Sequence, residues 1–210
     1  MSDSKSSTLT DPADAWEAAG TLLFVIGLQV LVAILSEQRG WKLWTLPWWV
    51  WLVMIGPELA LLTLLPVNHP YEGLLLALVM GAVNVLAVTA LIGSVVSSHE
   101  HSGGQLLLKG VTVWATNVTA FGLAFWELGH RRWRKARARQ FRFPQQEEKG
   151  TSWRPTFFDY FYVSFTNSIA FSPTDAMPLT KRAKLLMLTG SAVSAVTILL
   201  VAARAVNIFK

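Results

Sequence analysis

Few side chains in this sequence can do chemistry, and they fall in four places. The run Ile169-Ala-Phe-Ser-Pro-Thr-Asp175 sets the hydroxyls of Ser172 and Thr174 and the carboxylate of Asp175 around a proline, with Lys181, Arg182 and Lys184 close behind. Glu58 is a lone carboxylate deep in an apolar run, where an ionisable group is a functional candidate by default. The plainer reading keeps it neutral, held by backbone groups that Gly56-Pro57 sets free. His99-Glu-His101 has two of the ligands a metal would need, in a Gly/Ser loop without a third nearby, which argues against a metal site. Arg131, Arg132, Arg134, Lys135, Arg137, Arg139 and Arg142 crowd one connection. A voltage sensor places Arg at every third position of an apolar helix, whereas this block is polar throughout and suits anionic lipid headgroups. No nucleophile stands with a base, and there is no phosphate loop or haem ligand pair. An enzyme is not expected, and no cofactor is called for.

The elements that must position these groups belong to a membrane. The 210 residues are 52% hydrophobic and 15% charged, with 10 Trp and a mean hydropathy of +0.41. Soluble domains carry about 25% charged residues. The net charge of +5 is gathered in one connection, a distribution that sets a nucleic-acid binder aside. There is no cysteine, so disulfides and thiolate metal sites are excluded. The expected fold is an all-α integral membrane protein with about five transmembrane helices and one re-entrant half-helix.

Residues 1–15 read as a disordered tail, without the basic start of a signal peptide. Residues 16–104 read as a three-span peripheral bundle, with spans at Trp16 to Ser36, Trp44 to Leu65 and Glu72 to Ser97. The second holds interfacial tryptophans and a kink at Pro57, and the third is rich in small residues. Residues 105–210 read as one module. It has a span at 106–128 with Asn117 and Thr119 at its middle, the basic connection 129–156, a short aromatic helix at 157–171, a turn at 170–180 and a last span at 183–207. Spans of about 19–26 residues cross roughly 30 Å of hydrocarbon. The helix at 157–171 is too short to cross. It is either an interfacial amphipathic helix or, with Pro173 and Pro178 breaking the chain before a full span, the helix of a re-entrant pore loop. The second reading is preferred. Within it, Asn167 and Ser168 either face a lumen or satisfy polar groups between helices, the latter being favoured.

The last 55 or so residues resemble the pore module of tetrameric potassium channels. That family's filter reads roughly Thr-x-Gly-Tyr-Gly-Asp-x-x-Pro-x-Thr after an aromatic pore helix. Here Val163-Ser-Phe165 lies in the short helix, and Asp175, Pro178 and Thr180 match the flank without a gap. Ala183 and Lys184 resemble the start of the family's inner helix. The whole chain also resembles a group of bacterial multi-pass membrane proteins sharing AFSPTD-x-MPLT. The likeness implies a homotetrameric, cation-conducting channel in the plasma membrane, with Gly190, Ser191 and Ser194 letting inner helices cross closely. It does not imply potassium selectivity. Ala170, Phe171, Ser172, Pro173 and Thr174 stand where the glycine filter would be, and without its glycines the carbonyl ladder is not expected. The axis would instead be lined by the hydroxyls of Ser172 and Thr174, the ring of Phe171 and the carboxylate of Asp175. Asp175 has an equally good local role, as a turn acid paired with Lys181 or Arg182. If it conducts nothing, the chain is a membrane scaffold or partner-binding protein that keeps a channel-like fold.

Two rules disagree on sidedness. Positive-inside counting puts the Arg131–Arg142 connection in the cytoplasm. The channel resemblance puts that connection outside and the last span's end inside, and it is preferred here because the match is gapless. An inverted loop opening from the cytoplasm, as in glutamate-receptor channels, is one way out, and an external N-terminus, acidic through Asp3, Asp11, Asp14 and Glu17, is another.

Overall fold

A computed structural model describes residues 12–40, 49–64, parts of 79–93, 103–130, 139–148, 153–172 and 176–208. Helix dominates. The helices are α1 (Pro12–Arg39), α2 (Val50–Leu64), α3 (Gly103–His130), α4 (Phe157–Ala170) and α5 (Lys181–Ile208), with further helical residues at 81–83 and 85–90. Three helices are long and apolar enough to cross a membrane, at Asp14–Arg39, Gly103–Gly129 and Lys181–Ala203, and the chain is a membrane protein. The described part of α2 runs unbroken through Pro57.

α3 is the centre of the molecule. Its apolar stretch is 72% buried, against 33% for that of α1 and 22% for that of α5. Hydroxyls on this buried helix are satisfied locally: Thr112 Oγ1 donates to the Leu108 carbonyl and Thr116 Oγ1 to that of Thr112, each at 2.9 Å. α4 and α5 both pack along α3. Gly122 lets α4 approach closely, since a Cβ there would lie 3.2 Å from Phe161 Cα.

The core has two parts. At one end Ala18 and Leu22 of α1 meet Leu123, Phe125 and Trp126 of α3, Phe141 and Phe143 of the connection, Phe157 and Tyr160 of α4, and Ala183 and Met187 of α5. The rings meet edge-on. Trp126 lies 5.7 Å from Phe157 at 89°, and Phe143 lies 5.3 Å from Tyr160 at 88°. Such pairs contribute about 0.5–1.5 kcal/mol each beyond their buried area. At the other end Val32 and Ala33 of α1 meet Val83, Ala87, Leu106 and Val113. α1 and α3 are therefore antiparallel.

One expectation needs correction. Residues 12–15, expected in a disordered tail, are helical, because α1 starts at Pro12, whose missing N–H suits a helix start. The first turns of α1 lie in the same core as α3, α4 and α5. One small two-stranded pairing accompanies the helices of this all-α fold. β1 (Phe141–Arg142) pairs antiparallel with β2 (Met177–Pro178), with Phe141 opposite Pro178, and Pro144–Gln146 form a 3₁₀ turn. This part of the basic connection is anchored, because Phe141 and Phe143 are buried against Tyr160.

Candidate functional site

The first turn of α4 is held by carboxylates from two parts of the chain. Thr156 precedes the helix in extended conformation, and its N–H donates to Asp159 Oδ2 at 2.7 Å. The N–H of Phe157 donates to Asp14 Oδ1 and that of Phe158 to Glu17 Oε2, each at 3.0 Å. A helix start leaves four such donors unpaired and carries partial positive charge, so acids are favoured there. Two of these acids come from α1, and the start of α1 therefore sits on the same face as the start of α4.

From that face α4 runs antiparallel to α3, from Trp126 down to the middle of α3. Ser164 Oγ donates to the Val118 carbonyl at 2.7 Å, and the ring of Phe165 meets Trp114 at 5.4 Å. A buried polar layer joins the three helices at this depth. Asn167 Nδ2 donates to the Met187 carbonyl at 3.0 Å, and Ser191 Oγ donates to the Asn167 carbonyl at 3.1 Å. Asn117 Nδ2 donates to Ser194 Oγ at 2.7 Å and to the Gly190 carbonyl at 3.1 Å. Asn167 and Ser168 are thus buried between helices of one chain.

The layer also corrects the reading of Gly190, Ser191 and Ser194. These small residues were expected to admit a neighbouring subunit's inner helix. They face α3 and α4 instead: Gly190 lies against the ring of Phe121, Ser194 is wholly buried and Ser191 is tied to Asn167. Small size marks close approach, and here the approaching helices belong to the same chain.

α4 ends at Ala170, followed by Phe171 at φ 53° and ψ 27°. That left-handed conformation ordinarily falls to Gly or Asn after a helix, and a side chain there is strained by about 1–2 kcal/mol. Ala170, Phe171 and Ser172 are all exposed. Pro173, Thr174 and Asp175, the rest of the filter-like segment, lie outside the described residues. The chain then returns to the level of the α3 C-terminus. Ala176 is buried, Met177 and Pro178 pair with β1, and the N–H of Leu179 donates to the Gln140 carbonyl at 2.8 Å. Thr180 accepts from the N–H of Ala183 at 3.2 Å, capping α5, and its hydroxyl donates to Gln140 Oε1. Pro178 and Thr180 therefore pin the returning strand and start the last helix.

The remaining candidates are scattered. Arg131, Arg132, Arg134, Lys135 and Arg137 lie outside the described residues, as do His99 and His101. Arg139 is exposed, and Arg142 pairs with Glu147 at 3.0 Å on the surface. Lys181, Arg182 and Lys184 are exposed on the same face as these two arginines. Glu58 is wholly buried, and the group it meets is the side chain of Gln29, not the backbone beside Pro57. Lys109, wholly buried within α3, was not singled out by the sequence reading, although a lysine amid Leu106–Leu108 and Val111 was a visible signal. A groove of about 320 Å³ runs between α1, α3 and α4, walled by Trp16, Phe24, Trp114, Phe158 and Phe165, and the turn after α4 does not line it. Among the described residues no cluster of His, Asp and Glu is placed to hold a metal.

Comparison with protein-family models, with curated proteins and with solved structures finds no match to this chain. The potassium-channel likeness rests on the residues that carry it.

Proposed function

We propose that this protein is an oligomeric pore-loop ion channel of a bacterial plasma membrane, conducting cations through a pore formed by four chains. About five helices span the bilayer, and α4 is a re-entrant half-helix. One observation carries the reading. The chain leaves the end of α3, descends with α4 only to the middle of α3, turns at Phe171 and Ser172, and comes back to pair with β1 where it left. Irregular backbone at such depth is tolerated where it is buried in protein or lines water. Exposed Phe171 and Ser172 are not buried within their own chain, and a shared aqueous axis would satisfy them. Rings of Ser172 and Thr174 hydroxyls and of Asp175 carboxylates would favour cations, with Phe171 as a hydrophobic constriction. The basic connection rests on anionic headgroups. Lys181, Arg182 and Lys184 add to the positive charge of the loop's face, which favours a cytoplasmic placement and an inverted loop over the external one.

Recording from purified protein in a planar bilayer tests the proposal. Cation-selective current is expected, with the reversal potential in a salt gradient shifted toward the non-selective value by Asp175→Asn. Absence of current from a correctly folded oligomer would refute it. A second reading, a non-conducting membrane scaffold, is favoured by the use of Gly190, Ser191 and Ser194 within one chain. A monomer or dimer in detergent would support that alternative.

A further inference from the structure

Away from the loop, α1 and α2 bury a polar pair that the pore reading does not use. Gln29 and Glu58 are wholly or almost wholly buried, and Gln29 Nε2 donates to Glu58 Oε1 at 2.7 Å. The two other ends of the pair, Gln29 Oε1 and Glu58 Oε2, are also buried, and neither has a hydrogen-bond partner among the described residues. If Glu58 is ionised, both are acceptors, and two orphaned acceptors lie buried between helices, where each is costly. Turning the Gln29 amide over does not help, because it sets a carbonyl oxygen against Glu58 Oε1.

One proton removes the conflict. A carboxyl and a carboxamide each present two polar atoms in one plane. With Gln29 Nε2 already donating to Glu58 Oε1, a hydrogen on Glu58 Oε2 can donate to Gln29 Oε1 and satisfy both orphans. A metal ion is a poorer occupant, since hard divalent cations ask for about six or more oxygens and this pair offers two. We propose that Glu58 is a proton-binding site inside the membrane, holding its proton as a neutral acid closed onto Gln29 by two hydrogen bonds.

The surroundings fit a neutral acid. Glu58 is the sole ionisable residue of α2. On α1, Glu17 and Arg39 stand about 18 and 15 Å from Gln29 along the helix at 1.5 Å per residue, and Asp14 and Glu37 lie toward the same two ends. Lys109, on α3, has an interaction of its own, and the described helical residues between 81 and 93 carry no charge. Loss of the proton leaves a carboxylate facing a carbonyl oxygen, so ionisation works against the packing of α2 on α1. Proton binding at Glu58 is thereby coupled to that contact.

Infrared difference spectroscopy of the full chain in lipid, with glutamate isotope-labelled, tests the assignment without requiring any current. The expected spectrum at neutral pH contains the carbonyl stretch of a protonated carboxyl. That band is lost in Glu58→Gln, which preserves the paired geometry as amide with amide and should fold, and it shifts in Gln29→Leu. Only a carboxylate stretch for Glu58 at neutral pH, or a protonated band that survives Glu58→Gln, would overturn the proposal.

Discussion

The bond from Asp14 to the first turn of α4 makes a quantitative prediction. Asp14 is 4% exposed and Phe157 1%, so water cannot replace the carboxylate if it is removed. Asp14→Ala leaves a buried N–H without a partner, a cost of about 1–3 kcal/mol. Loss of a helix cap costs about 0.5–2 kcal/mol. The two ranges overlap at about 1–2 kcal/mol. Asp14→Asn keeps an acceptor and loses only the charge at the helix start, about 0.3–1 kcal/mol. At 1.4 kcal/mol per factor of ten, Asp14→Ala should speed exchange of the α4 first-turn amides by about tenfold, and Asp14→Asn by about two- to fivefold. Hydrogen exchange read by mass spectrometry on peptides covering 153–165 measures both. Unchanged exchange in Asp14→Ala would refute the cap, and with it the placement of the α1 start beside α4. Equal effects from the two variants would mean that charge, not the hydrogen bond, does the holding.

Asn117 and Ser194 should be coupled. Interhelical hydrogen bonds in membranes average about 0.6 kcal/mol and reach about 1.7. A double-mutant cycle of Asn117→Ala and Ser194→Ala on unfolding in mixed micelles should therefore return about 0.6 kcal/mol, and strict additivity would contradict the bond. Phe171→Gly should stabilise the fold by about 0.5–1 kcal/mol, because relief of left-handed strain exceeds the entropic penalty of glycine at a half-exposed site. A net loss in the same unfolding measurement would show that the Phe171 ring is packed in the assembled protein.

Composition and local pattern carried much of the architecture. The three long apolar helices lie close to their expected limits, and the short aromatic helix ends at Ala170, three residues before Pro173. The site's fastenings were less legible, because each joins residues distant in sequence. Asp14 and Phe157 are 143 positions apart, and Gln29 and Glu58 are 29 apart. No periodicity records such pairs. Gly190, Ser191 and Ser194 announced close helix approach, but nothing local says which helix approaches. The left-handed turn at Phe171 also left no trace, since the usual signal is a glycine or asparagine and the chain uses neither.

The central claim is that the turn after α4 lines an aqueous path at mid-depth. The sequence has no cysteine, so Ser172→Cys introduces a single thiol at that turn. The direct measurement is current through the reconstituted variant before and after a charged, membrane-impermeant thiol reagent, applied separately to each side. The account predicts current that the reagent blocks from the side carrying the basic connection. A thiol that stays unmodified from both sides, in a protein that carries no current, would contradict it.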